Sequence, residues 1–406
     1  MRFIRRLTLI FLLSQLAVSS APGMEVLSSL TLGNRTGVAV RDTVAFTVGG
    51  TSLVNVSIAR PRAPFVLGQL DLTGSPKAVA VEGNYAYCAV GANGFVVVNI
   101  ANPRAPFRVH STSVTGPCLD LAVDDTILVV ATGTEVVIVG MRNPSAPQVL
   151  SRHAHTASSV ALNWPARRVY AGGTNGVIEL NVTDPVHPVR NSHFGAGQGI
   201  APVSCSLPYV IAAQSASLLV LNPSPLSQAG TFGASAAIRA VCQAGGYQSL
   251  IGLANGAVLH IGETQMPPEL VASVNVGAEV RRMDVGVVSP ETLAVVATVM
   301  GITIVGYEPI SAVDPYQQEL QPGAFRISAY PNPFNSSVRL ELQGAKTGWH
   351  TLEVFDLVGR KVFSRQIFVT GQPEFLFEPT TLGTGLYFAR ITGVSGSASA
   401  RLLFLK

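Results

Sequence analysis

Proline recurs along this chain at a nearly fixed interval. RPRAP at 60–64, NPRAP at 102–106, NPSAP at 143–147 and DPVHP at 184–188 follow one another 42, 41 and 41 residues apart. NPSP at 222–225 and a weaker MPP at 266–268 continue the series. Proline fixes φ and lacks an N–H, so such segments make rigid connections outside a hydrogen-bonded ladder. The unit between them is clearest at 75–116. KAVAVE, a turn at Gly83–Asn84, YAYCAV, a GANG turn, FVVVNI, the proline link and FRVHSTSV read as four short strands. Four strands in about 42 residues is the period of one propeller blade. Immunoglobulin-like sandwiches need about 100 residues each, and a β-helix has no reason to carry such a link.

Three-strand cores begin near Gly37, Ser75, Gly116, Ala157, Gly199, Ala236 and Val276. The seventh, ending in TLAVVATVMGITIVGY, lacks a closing strand, while EVLSSLTL at 25–32 is a strand with no blade before it. That segment matches VLGQLDL at 66–72, the closing strand of the next unit. The expectation is an all-β chain with a seven-bladed β-propeller over 25–307. Its blades are four-stranded, and the N-terminal strand completes the last blade, which removes two ragged edges.

Charged residues are only 12% of the chain and Gly plus Pro number 65, which suits many short strands and turns. The formal charge is +4, but Arg2, Arg5 and Arg6 sit in a segment with a different purpose. MRFIRR is a basic start, LTLIFLLSQLAV an apolar core, and Ser19–Ser20–Ala21 offers small residues at a cleavage site. Residues 1–21 are expected to be a signal peptide cut after Ala21, too short in its apolar core to span a bilayer. Removing them leaves 24 basic residues against 23 acidic, which excludes a nucleic-acid partner recognised by charge. Val285 to Gly306 is also apolar, but Pro290–Glu291 interrupts it in register with the repeat, so it is read as strands. No transmembrane segment is expected in the mature chain. Cys88, Cys118, Cys205 and Cys242 are widely spaced without a CxxC. They read as small buried residues on strands, although an exported chain permits disulfides.

AVAVEGNYAYCAVGANGFVVVNIANPRAP resembles the LVIVD repeat, a propeller repeat of secreted and surface proteins. FVVVNIANP, and more distantly VIELNVTDP at 177–185, take the place of its Leu-Val-Ile-Val-Asp run, with Asn99 and Asn181 where that run ends in Asp. The resemblance implies architecture and no ligand or reaction.

After a linker at 308–323 the repeat stops. Residues 324–406 contain FRISAY, SVRLELQ, WHTLEVFD, KVFSRQIFV, EFLFE, GLYFARI and ARLLFLK, seven strands that read as a small Ig-like β-sandwich. YPNPFN at 330–335, EVFDLVGRKV at 353–362 and LGTGLYFARI at 382–391 occur in order within it. This series resembles the type A C-terminal sorting domain of type IX secretion. By that resemblance Tyr330, Pro331, Asn332, Pro333 and Phe334 form the opening motif and Gly359 the middle turn. Gly385 and Tyr387 belong to the penultimate strand, and Lys406 is the basic end. The outer-membrane secretion machinery is the implied partner, reached through the periplasm, and a secreted or cell-surface location follows. As plain structure, Pro and Asn at 331–333 make a rigid turn, Gly359 and Gly385 permit tight backbone, and Tyr387 packs inward. A sandwich serving only structure is the alternative.

Catalytic signatures are missing: there is no HExxH, GxSxG elbow, P-loop or EF-hand loop. Gly195, Gly197 and Gly199 are read as a flexible turn. His153 and His155, two apart on a strand, face one side and could meet one ion, but no third ligand lies nearby in sequence. No metal or other cofactor is expected. Asp124–Asp125 falls at a turn, and Arg60, Arg62, Arg104 and Arg142 flank the links as a weak basic rim. The channel-side strands GVAV, KAVAV, CLDLAV and SSVAL are small and apolar, with Asp120 the main exception. The reading is a non-enzymatic scaffold for a surface glycan or protein ligand. A polysaccharide-active enzyme with a site in the channel is the competing class.

Overall fold

The computed structural model describes residues 23–163, 165–206, 208–264, 266–289, 291–309, 326–330, 332, 334–343, 347–356, 360–370, 374–379, 382–393 and 396–404. The proposed leader with Ala21, most of the linker, and Pro331, Pro333, Gly359 and Lys406 lie outside them. The chain divides into two compact units, Met1–Ala312 and Val313–Lys406.

The first unit repeats a four-stranded antiparallel meander, an arrangement consistent with a propeller. Its first sheet runs Gly37–Arg41, Val44–Gly49, Ser52–Ser57 and Phe65–Asp71 in spatial order. Sheets of the same order follow at 78–112, 120–154, 157–194, 203–233 and 238–275. A seventh consists of Val280–Val288, Glu291–Thr298 and Gly301–Tyr307, and Met24–Thr31 pairs antiparallel with Gly301–Tyr307.

Burial explains why the strands read as they do. The second and third strands of each sheet are covered on both faces, so ILVVA and FVVV are unbroken apolar runs. Fourth strands face water on alternate residues, as in FVLGQLD. Neighbouring sheets share a core: Phe46 and Val48 meet Cys88 and Val96, and Val137 and Val139 meet Tyr87 and Val97. The first and seventh sheets share one too, with Val54 and Val56 against Val295 and Ile304.

Turn chemistry is equally regular. Asp42, Gly83, Asp125 and Arg167 all take φ between +52° and +55° between the first and second strands. Asp125 therefore occupies the Gly83 position, one residue later than Asp124. At Gly94, φ is +79° and an added Cβ would lie 2.0 Å from the Thr112 carbonyl oxygen, so the GANG turn needs glycine there.

Each proline link joins the third strand to the fourth. Asn102 Oδ1 accepts the Arg104 N–H at 3.0 Å, Asn143 Oδ1 that of Ser145 at 3.1 Å, and Asp184 Oδ1 that of Val186 at 3.0 Å. The Asn102 carbonyl also accepts the Ala105 N–H at 3.0 Å. The Asn/Asp-Pro pair thus builds an Asx-capped turn with proline at its second position.

The second unit has seven described strands in two sheets. Arg326–Tyr330, Val338–Gln343 and Glu374–Phe377 form one. Lys361–Val369, Gly348–Phe355, Gly385–Gly393 and Gly396–Phe404 form the other, in that spatial order. Leu340, Leu342 and Phe377 of the first sheet pack on Leu352, Ile391 and Phe404 of the second, a sandwich core.

Candidate functional site

The first strands of the sheets hold the polar groups with the best claim to chemistry, and each is engaged between sheets. Asp120 opens the first strand of the third sheet and is buried. Its carboxylate accepts the Leu121 N–H at 2.9 Å and, from the fourth sheet, the Val160 N–H at 3.1 Å. Arg282 of the seventh sheet also donates to it. Asp284 repeats the device: it accepts the Val285 N–H at 2.9 Å and the first sheet's Val40 N–H at 2.7 Å. Burial pushes its carboxyl up to about 6, against the pull of those N–H donors and of Arg282. Ser159 accepts the Val203 N–H at 3.1 Å and Ser204 the Gln243 N–H at 3.3 Å, again from one sheet to the next.

These side chains satisfy backbone donors at seams where no ladder can form. Arg282 and Asp284 are inter-sheet residues that sequence reading passed over; the available signal was three charges, RRMD, inside an otherwise apolar strand. At the rim of the seventh sheet, Glu279 pairs with both Arg239 and Arg281 at 3.3 Å.

His153 is the penultimate residue of the third sheet's fourth strand, and His155 lies just beyond that strand. Burial holds both below the usual imidazole range, helped at His153 by Arg190 and at His155 by His193. The His155 ring meets His193 edge-on at 5.9 Å, while His193 Nε2 is 2.6 Å from the Asn175 carbonyl oxygen. Among the described residues no group of three His, Cys, Asp or Glu side chains is placed to hold a metal.

The four link arginines are not gathered into one site. Arg62 pairs with Glu25 at 2.5 Å, and Arg142 lines a 760 Å³ cavity with Asp125, Arg167 and Val186. Asn99 and Asn181 cap their own turns, accepting from Ala101 and Thr183 at 3.0 Å. All four cysteines are free, and Cys88, Cys118 and Cys242 are buried.

In the second unit the opening motif reaches the last strand. Asn332 Oδ1 accepts the Leu403 N–H at 2.8 Å, and the Leu403 carbonyl accepts the Phe334 N–H at 3.0 Å. Phe334 and Phe404, both buried, stack with ring centroids 5.0 Å apart. Tyr330 points outward, 78% exposed. Tyr387 is half-buried on the core side, and its hydroxyl donates to the Gly383 carbonyl at 2.9 Å, a bond back to upstream backbone. Gly385 corrects an expectation. An added Cβ would meet the Tyr387 ring at 3.6 Å, ordinary contact, so the position packs an aromatic ring and is not forced by tight backbone.

The geometry is thus a stack of sheets bolted through their inner strands, with a sandwich whose motif residues close its own end. Comparison with known proteins agrees on both. Residues 73–113 match the LVIVD repeat, and residues 328–404 match the secretion system C-terminal sorting domain. The chain carries an LVIVD repeat and a type IX sorting domain; the latter indicates export and an extracellular or cell-surface location. A computationally designed protein, Ika8, superposes with a TM-score of 0.50 at 13% identity, over 70% of this chain and 98% of its own. At that identity the likeness concerns the fold alone. No curated protein matches the chain. Among the described residues no helix is long and apolar enough to cross a membrane.

Proposed function

We propose that this protein is a non-enzymatic recognition or display scaffold. In this reading a seven-bladed propeller is closed by strand Met24–Thr31, a signal peptide at 1–21 delivers the chain to the periplasm, and the C-terminal domain hands it to the outer-membrane machinery. The observation that carries the non-catalytic part is the engagement of Asp120, Asp284, Ser159 and Ser204 in bonds between sheets. A carboxylate that accepts two backbone N–H groups and an arginine is poorly placed to exchange protons with a substrate. The core shared by the first and seventh sheets supports the closed ring. The ligand, a surface glycan or a protein, would meet loops between sheets, where propellers present their variable residues.

Fractionation of the native host with intact-mass measurement tests the export half. An extracellular or surface form lacking residues 1–21 and the C-terminal module is expected. A periplasmic form extending to Lys406 would make the sandwich a structural domain. Turnover on a polysaccharide panel that disappears in Asp120→Asn would replace the scaffold with an enzyme.

A further inference from the structure

The sixth sheet breaks the repeat at one seam. In five sheets the residue just after the third strand donates its N–H to a carbonyl of the first hairpin: Ile58 to Thr43, Ile100 to Asn84, Met141 to Thr126, Val182 to Arg167, and Glu263 to Tyr247. The first four are buried and apolar, and the fifth is a glutamate that is only 1% exposed.

Its neighbours change in step. The residue pair beside it on the same face is Val40 and Ala45 in the first sheet, Val81 and Ala86 in the second, Val123 and Leu128 in the third, and Leu162 and Val169 in the fourth. In the sixth sheet that pair is Gln243 and Ser249. Three apolar positions have become three oxygen-bearing ones, all on the face packed against the fifth sheet, where Ile251 and Ile261 meet Ile211 and Val220.

Among the described residues, none of these oxygens has a partner in hydrogen-bond geometry, although the Ser249 hydroxyl lies near enough to the Glu263 carboxylate to favour its charged form. Both Glu263 carboxylate oxygens, Ser249 Oγ and Gln243 Oε1 are buried and without partners. Native proteins rarely leave such groups orphaned without water, an ion or a ligand to meet them. The Gln243 amide nitrogen donates to the Tyr209 carbonyl at 3.4 Å, which leaves Oε1 for another partner. Above the cluster the Tyr209 and Tyr247 rings meet edge-on at 6.1 Å.

We propose that Glu263, Gln243 and Ser249 bind one hard cation, Ca²⁺, in the seam between the fifth and sixth sheets. Donors that are all oxygen select a hard ion over zinc or copper. Ca²⁺ tolerates an irregular shell, whereas Mg²⁺ demands a near-ideal octahedron and keeps its waters. A single carboxylate places the affinity in the weak class of extracellular modules, a Kd of about 10⁻⁴–10⁻³ M. Burial also pushes the Glu263 carboxyl up to about 7, with the Ser249 hydroxyl beside it pulling the other way. A proton therefore competes with the cation; Tyr209 and Tyr247 are the other titratable groups facing the site.

The test is thermal melting of the full chain, stripped with a chelator and then titrated with CaCl₂, MgCl₂ or NaCl at matched ionic strength. The wild type should gain Tm with millimolar Ca²⁺ and much less with Mg²⁺, and titration calorimetry should show one site. Glu263→Gln should lose the response. The triple change Gln243→Val, Ser249→Ala, Glu263→Ile restores the apolar pattern of the other sheets, and it should melt higher than the stripped wild type and ignore Ca²⁺. If Glu263→Gln fails to fold, the triple variant and Ser249→Ala, which should bind several-fold more weakly, carry the test. A wild type indifferent to Ca²⁺, an equal response to all three salts, or a Ca²⁺ response that persists in the triple variant overturns the proposal.

Discussion

Asn332 and Leu403, 71 residues apart, are joined by a side-chain amide oxygen accepting a backbone N–H at 2.8 Å. Phe334 adds a backbone bond to the same residue and buries its ring against Phe404. The opening motif of the sorting domain is therefore a latch on the domain's final strand. Strands at a sheet edge fray unless something covers their free groups, and here the covering residues come from the other end of the module.

The latch predicts unequal costs. Asn332→Ala should destabilise the module by about 1 kcal/mol, the net worth of one hydrogen bond. Phe334→Ala should cost about 3–5 kcal/mol through lost burial and a cavity. Urea unfolding of the full chain carrying Trp164→Phe, followed through Trp349, reads this out. Equal, negligible shifts would show that the latch does not hold the strand.

The Asp120–Arg282 pair predicts a measurable coupling. Asp120→Ala leaves the Val160 N–H without its acceptor and should cost about 2–3 kcal/mol. Arg282→Met should cost less, since its side chain is 27% exposed and partly screened. A double-mutant cycle by chemical denaturation should give a favourable interaction energy of about 1 kcal/mol, and a value of zero would reduce the pair to a surface contact.

Stability should fall on both sides of a mildly acidic optimum. Glu263 is raised from 4.5 to about 7, so between those values the folded chain holds a proton that the unfolded chain has lost, and stability drops as pH rises. Asp284, raised to about 6, acts in the same direction. His260, buried against Gln248 and Tyr307, is lowered from 6.5 to about 4, so stability drops as pH falls through that window. Glu263→Gln should flatten the alkaline side by a few kcal/mol, on the order of 3, when melts are run with chelator present. An unchanged pH profile would contradict its burial as a carboxylate.

The cysteines should behave as core residues. Burial pushes Cys88 and Cys205 up to about 12, and Cys118 and Cys242 well above the usual thiol range. Ellman's reagent should find four thiols in denaturant and react only slowly with the native chain. Fewer than four in denaturant would mean that the exported protein carries a disulfide.

What the sequence alone determined is what depends on local chemistry repeated at a fixed distance. Asn102, Asn143 and Asp184 before proline write the same turn each time, and period-2 and unbroken apolar runs mark strands with one or two covered faces. The rhythm of four strands and one link is legible for that reason, as is the order of motifs between Tyr330 and Tyr387. Tertiary structure decided which side chains meet across seams. Nothing within a few residues of Asp120 reveals that Val160 and Arg282 bond to it, or that Asn332 waits for Leu403. Glu263 carries no mark in its own stretch of sequence. Only the register of its sheet shows that it stands, with Gln243 and Ser249, where the first four sheets place apolar side chains. Turns are set by neighbours in sequence, whereas burial and pairing are set by neighbours in space, and those belong to strands of different sheets.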